Sequence, residues 1–136
     1  MFPIITDLDA ARIRDLRGRL PHAELGFSGL GRLIDLVDSE AEIVPHNGID
    51  DDIVTVNSVV SFRDEATGAV QKVAVVYPSE ADAAESRISI LSPVGSALLG
   101  RRVGTKTSLT MPDGSKRKLR VIELHYQPEA SGHLGV

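Results

Sequence analysis

The hydrophobic periodicity of this chain changes once, near residue 53. Before that point apolar residues recur at helical spacing, and after it they alternate. Leu30, Leu33, Ile34, Val37 and Ala41 stand at i, i+3, i+4, i+7 and i+11, one stripe of a 3.6-residue helix. Ser28 is placed to cap it, with Asp35, Asp38, Glu40 and Glu42 along the other side. Leu8, Ile13, Leu16 and Leu20 form a shorter stripe, with Arg12, Arg14, Asp15 and Arg17 elsewhere. Thr6 followed by Asp9 has the form of a capping box, a hydroxyl for a backbone N–H and an acid favoured by the helix dipole. Pro21 stops this helix by Leu20. Two amphipathic helices joined by a loop containing Pro21, Gly26 and Gly29 predict an antiparallel hairpin, and the stripes read as ordinary core faces.

The segment Pro45-His46-Asn47-Gly48-Ile49-Asp50-Asp51-Asp52 is punctuated and polar, and reads as a solvated linker. Its adjacent aspartates would point to opposite faces of an extended chain, and no glutamate follows at calcium-loop spacing. From Ile53 the run IVTVNSVVSF is β-branched and alternating, as a half-buried strand requires. DEATGA, with Gly68, is a turn into a second strand, VQKVAVVYP. A polar connection with a helical turn fills residues 79–86, and RISIL is a third strand. KTSLTM and KRKLRVIELHYQ flank Pro112-Asp113-Gly114, a further hairpin. The tail from Pro128 is small and polar and is expected to fray.

Between the third strand and that hairpin lies SPVGSALLGRRVG, residues 92–104. Ser92 suits an N-cap and Pro93 the first helical position, where a missing N–H costs nothing. Val94, Ala97, Leu98 and Leu99 supply an apolar face, and Gly100 suits the positive-φ site after a helix. This is a helix of under two turns whose leucines plug the sheet, with Ser96 and Arg101 expected on the exposed side. The whole predicts an α+β fold: a helical hairpin (short coiled coil) over residues 1–44, a linker over 45–52, and a domain over 53–136. That domain is an antiparallel sheet of about five strands with one short helix.

Composition narrows the function. At 136 residues, 42% hydrophobic and 25% charged, the chain fits an ordinary soluble globular protein. A net charge of −4 provides no global attraction to phosphates. Positive charge is nevertheless concentrated in Arg101, Arg102, Lys106, Lys116, Arg117, Lys118 and Arg120. This cluster reads either as a docking patch for an acidic partner or as a solvated hairpin whose edge lysines resist aggregation. Aromatic residues make up 4% and tryptophan is absent, a poor supply for base stacking. No cysteine is present, which removes disulfides, thiolate catalysis and cysteine-ligated zinc. The N-terminus lacks the features of a signal peptide and no apolar run approaches the roughly 18 residues of a membrane span, so a soluble, cytoplasmic location is expected. His22, His46, His125 and His133 are scattered, with no HExxH spacing, G-x-S-x-G elbow or P-loop. His125, inside an alternating strand, reads as a partly exposed sheet histidine. No catalytic residue, metal site or cofactor is predicted.

NSVVSFRDEATG, then VVYPSEAD, then ISILSPVGSALLGRRVGTKTSLTMPDGSKRKLRVIELHYQPEA together resemble the C-terminal domain of the Gre transcript-cleavage factors. With the leader ITDLDAARI the chain is still more similar to the Rnk family, regulators of nucleoside diphosphate kinase. The resemblance spans about residues 4–130, and its most specific piece is S-P-x-x-x-A-L-L-G followed by a hairpin ending in E-x-x-Y-x-P. It implies an FKBP-like C-terminal domain and binding to bacterial RNA polymerase at the rim of its secondary channel. Ser92, Pro93, Ser96, Ala97, Leu98, Leu99, Gly100 and Arg101 would form the docking segment. The hairpin tip would include Arg19, Pro21, His22 and Glu24. Gre coiled coils are about twice as long and carry a D-x-x-E pair that holds a catalytic magnesium, whereas the segment RLPHAELGFSG offers Glu24 alone. The resemblance therefore implies a non-catalytic regulator that competes with Gre-type factors, without sequence-specific nucleic-acid binding or a membrane partner. Two alternatives stand beside it: transcript cleavage using Glu24 with Asp15 or another acid, and regulation of nucleoside diphosphate kinase. The FKBP-like fold also raises prolyl isomerisation, but five aromatic residues are too few to line such a pocket.

Overall fold

The computed structural model describes residues 3–19, 33–111 and 113–131. The chain opens with a strand that the sequence reading did not anticipate, β1 (Ile4–Thr6), leading directly into α1 (Asp7–Arg19). Ile13 and Ala10 are buried and Leu16 packs at the edge of the core, as the stripe predicts. The Thr6 hydroxyl accepts the Asp9 N–H at 3.1 Å, so half of the expected capping box forms. The second helical arm, α2, covers residues 33–40 and its last turn, Leu36–Glu40, is π-helical. Leu33, Ile34 and Val37 face inward. Ser28, Leu30 and the connection between the arms lie outside the described residues.

The second arm ends earlier than its apolar stripe suggests. Ala41 leaves the helix with φ −87° and ψ 147°, and β2 (Glu42–Val44) follows. Ile43 and Val44 are β-branched, and Pro45 disfavours helical geometry at the residue before it. β2 runs parallel to β1, pairing Ile4 with Glu42 and Thr6 with Val44. The base of the arm is thus a two-stranded sheet.

The body is a five-stranded sheet in the order β5-β4-β3-β7-β6, formed by β3 (Val59–Asp64), β4 (Val70–Val76), β5 (Arg87–Ser89), β6 (Lys106–Thr110) and β7 (Lys116–Tyr126). The architecture is α+β, but the sheet is mixed. β3–β4, β3–β7 and β6–β7 are antiparallel, whereas β4–β5 is parallel. The connection over 77–86 makes two 3₁₀ turns, Pro78–Glu80 and Ala83–Glu85, and returns the chain to enter β5 in the direction of β4. Residues 53–58 form no strand. Asn57 adopts φ 72° and its N–H turns to the Val75 carbonyl, so regular pairing of β3 begins at Val59. The inward faces of the sheet are covered by α3 (Pro93–Leu98). One hydrophobic cluster runs from Ile5, Ile13 and Leu33 to Val60, Leu98 and Val121, so arm and sheet share a core. In the linker, Arg102 is held by Asp52 at 2.6 Å and Asp50 at 3.1 Å, so two of the three aspartates serve a guanidinium. The tail does not begin to fray at Pro128. α4 (Pro128–Ser131) is helical, and Glu129 accepts a hydrogen bond from the Thr55 hydroxyl at 2.7 Å.

Candidate docking site

The segment around α3 is built by short-range capping. The Ser92 hydroxyl accepts the Gly95 N–H at 3.1 Å and donates to the Ser89 carbonyl at 2.7 Å. Pro93 takes the first helical position, where it forfeits no bond. The closing N–H, that of Leu99, reaches the Gly95 carbonyl, and Gly100 follows at φ 82°. The backbone of Gly100 is pinned on both sides, its N–H bonding the Val54 carbonyl and its carbonyl accepting the Ile4 N–H. A Cβ there would lie 3.0 Å from the Ile4 carbonyl oxygen and from the Pro3 side chain. Glycine is needed for both the dihedral and the approach.

Of the eight residues predicted for docking, Ala97, Leu98, Leu99 and Gly100 are buried, the leucines as the expected plug. Ser96 corrects the expectation of an exposed position. It is only 6% exposed, and its hydroxyl turns back to the Pro93 carbonyl at 3.2 Å. The cause is the burial of the whole C-terminal half of α3: Gly95, Ser96, Ala97 and Leu98 are all buried, so the short helix offers no exposed face at Ser96. Ser92, Pro93 and Arg101 remain half-exposed, and they form the accessible rim of the segment. Among the tip residues, Arg19 ends α1, while Pro21, His22 and Glu24 lie outside the described residues.

A second constellation lies where α1 meets the body, and sequence reasoning missed it. Asp9 is 3% exposed. Its carboxylate does not close the capping box but accepts the Val56 N–H at 3.1 Å and the Tyr77 hydroxyl at 3.3 Å. Burial pushes its pKa up to about 6, beyond what these two donors and nearby Arg12 offset, with Glu129 adding repulsion. Burial also raises the Tyr77 phenol, whose ring lies 5.9 Å beneath the Arg12 guanidinium. An acid on the inward side of an otherwise amphipathic helix was the available signal.

The outer face of the sheet carries a chain with the connectivity of a hydrolytic triad. Ser61 Oγ lies 2.7 Å from His125 Nε2, and His125 Nδ1 lies 2.9 Å from Glu123 Oε2. The rest of such a site is missing. Ser61 sits in mid-strand between β4 and β7, where backbone N–H groups serve the ladders and not an oxyanion. His125 is the extra residue of a β-bulge, skipped between Leu124 and Tyr126 in the pairing with β3. Its hydrogen bonds fasten that bulge. His46 bonds Asp7 at 2.9 Å at the start of α1. Among the described residues, no cluster of three or more His, Asp or Glu could hold a metal ion, and no helix is long and apolar enough to cross a membrane.

Comparison with known proteins gives this geometry a context. The profile of the GreA/GreB transcription elongation factor C-terminal family matches residues 49–126. The chain is 40% identical over 131 residues to the regulator of nucleoside diphosphate kinase of Escherichia coli K12, covering 95% of this chain and 93% of that protein. It is 45% identical over 76 residues to the transcription inhibitor protein Gfh1 of Thermus aquaticus, covering 54% of this chain and 48% of that one. Among solved structures, a prokaryotic transcription elongation factor GreA/GreB from Nitrosomonas europaea superposes with a TM-score of 0.71 at 35% identity, over 93% of this chain and 99% of the other.

Proposed function

This chain belongs to the GreA/GreB transcription elongation factor family, and from that premise we propose that it is a non-catalytic regulator of bacterial RNA polymerase. It binds the rim of the secondary channel and competes there with Gre-type factors. The observation that carries this reading is the 40% identity, over nearly the full length of both chains, to a protein named as a regulator. Similarity to a protein named as a transcription inhibitor points the same way. The body takes the FKBP-like class that the resemblance implies, and the cytoplasm is where the polymerase would be met.

The division of labour in the docking segment follows from burial. Ser92, Pro93 and Arg101 touch the partner, while Ser96, Ala97, Leu98, Leu99 and Gly100 hold that rim in shape from beneath. In the arm, the 13 residues of α1 span about 20 Å at 1.5 Å per residue. The tip segment contributes the single carboxylate of Glu24, too little to clamp Mg²⁺ for transcript cleavage. The name of the E. coli relative also offers nucleoside diphosphate kinase as a partner; in this reading that link is indirect.

Co-elution of the purified chain with core RNA polymerase, and its displacement by a Gre factor, test the proposal. Arg101→Glu is expected to weaken co-elution several-fold at a temperature where circular dichroism shows the variant folded. Mg²⁺-dependent shortening of RNA in a stalled elongation complex would overturn the non-catalytic assignment. Capture of the kinase without polymerase would overturn the choice of partner.

A further inference from the structure

Four residues of the basic cluster, Lys106, Lys116, Lys118 and Arg120, share one face of the sheet, while Arg117 lies on the other with Asp64, and Arg101 and Arg102 precede β6. Lys106 pairs with Arg120, and Arg120 with Arg63, so three cations stand side by side across β6, β7 and β3. Like charges in such a file repel. Glu65 alone bridges them, 3.2 Å from Arg63, 3.3 Å from Arg120 and 3.9 Å from Lys106. In the next rows Lys118 lies opposite Ser108 and Lys116 opposite Thr110. Both lysines are exposed and have no ion-pair partner among the described residues. Five cations against one carboxylate leave a net charge of four. Beyond the bulge at Ile122, Glu123 reverses the sign.

Protection of a sheet edge does not account for this array. β6 is the edge strand, and Lys116 and Lys118 lie on the stretch of β7 that pairs with β6 alone, but Arg63 and Arg120 stand where β3 and β7 are paired on both sides. Protein partners fit the face poorly as well. Interface centres favour aromatic residues, Met and Arg and disfavour Lys, yet this patch mixes lysines with the hydroxyls of Ser108 and Thr110 and contains no aromatic side chain. Those groups suit phosphate oxygens, which accept from both without reading sequence. The hairpin end also opens into a cleft of about 680 Å³ lined by Lys116, Arg117, Lys118, Ser108 and Thr110, with Glu65, Ala66 and Leu109 completing its wall.

We infer that the outer face of the β3–β7–β6 sheet binds the phosphodiester backbone of nucleic acid, independently of sequence. This goes beyond the polymerase reading and does not depend on it. Fluorescence anisotropy of labelled duplex DNA and single-stranded RNA, titrated with the full chain, tests it. Four contacts predict a log–log salt slope near −3.6 on duplex, about 150-fold weaker binding between about 50 and 200 mM salt. K116Q/K118Q should halve that slope, to about 12-fold over the same range, with an unchanged melting temperature. R14Q, which removes a cation from α1, should leave the slope alone. Comparing the two probes separates DNA from RNA as the source of phosphate. No binding at protein concentrations above about 10⁻⁴ M, the weak end of non-specific affinity, overturns the inference. So does a slope indifferent to K116Q/K118Q, or tighter capture of poly-L-glutamate than of either nucleic acid, which would assign the face to an acidic protein.

Discussion

Asp9→Asn isolates the energetic consequence of burying an acid at the junction of α1 and the body. The side chains have the same shape, so packing is kept. The Asn oxygen can still accept the Val56 N–H, and its NH₂ group can donate to the Tyr77 oxygen once that hydroxyl rotates. What changes is titration. The Asp9 carboxyl moves from an ordinary 3.8 to about 6 in the folded chain, so between those values the folded state holds a proton that the unfolded state has released. Its stabilising contribution is therefore complete below about pH 4 and is lost as pH rises through about 6. At 1.36 kcal/mol per pH unit the difference amounts to about 3 kcal/mol. Asn carries no such dependence. Urea denaturation followed by circular dichroism, on both proteins from pH 4 to 7, should show the stability of D9N minus wild type climbing by about 2.5 kcal/mol. Exposed groups that titrate in this range are shared by the two proteins and cancel in the difference. A flat or falling difference would refute the argument. Tyr77→Phe removes a hydrogen bond that favours the charged carboxylate, so it should move the midpoint of that climb to higher pH.

Two further predictions concern the docking segment. Leu98 is fully buried, so Leu98→Ala should cost about 2–5 kcal/mol in chemical denaturation. A loss under 1 kcal/mol would mean that the plug is not packed as described. Gly100→Ala meets both a positive φ and backbone atoms at 3.0 Å. It should lower stability by at least about 1–3 kcal/mol and speed amide exchange at Ile4, whose N–H bonds the Gly100 carbonyl.

Local chemistry was the most legible part of the sequence. The Ser92-Pro93 start and Gly100 stop specify α3 because each signal acts over a few residues. The turn through Asp113 and Gly114 likewise delivers β6 and β7 in register. The misses share a cause, namely partners distant in sequence. β1 has only three residues and is stabilised by residues 42–44 and 100, so no periodicity announces it. β5 reads as another antiparallel strand because direction is set by the crossover and not by its own residues. Ser96 has a polar side chain on the buried half of a helix too short to show a clear moment. Asp9 looks like a capping acid until Val56 and Tyr77 are brought beside it.

The stitching of Ile4 to both Glu42 and Gly100 carries a consequence for the order of assembly. Ile4 and Gly100 are ninety-six positions apart, so this contact closes one of the longest loops in the chain, and such closure is late and slow. During synthesis β1 leaves the ribosome well before its anchoring carbonyl at Gly100 is made. A nascent chain halted before residue 100 could still pair β1 with β2 but would leave the Ile4 N–H without the Gly100 carbonyl. The glycine that ends α3 therefore also acts as a late clasp, joining the base of the arm to the body through Ile4 and Val54.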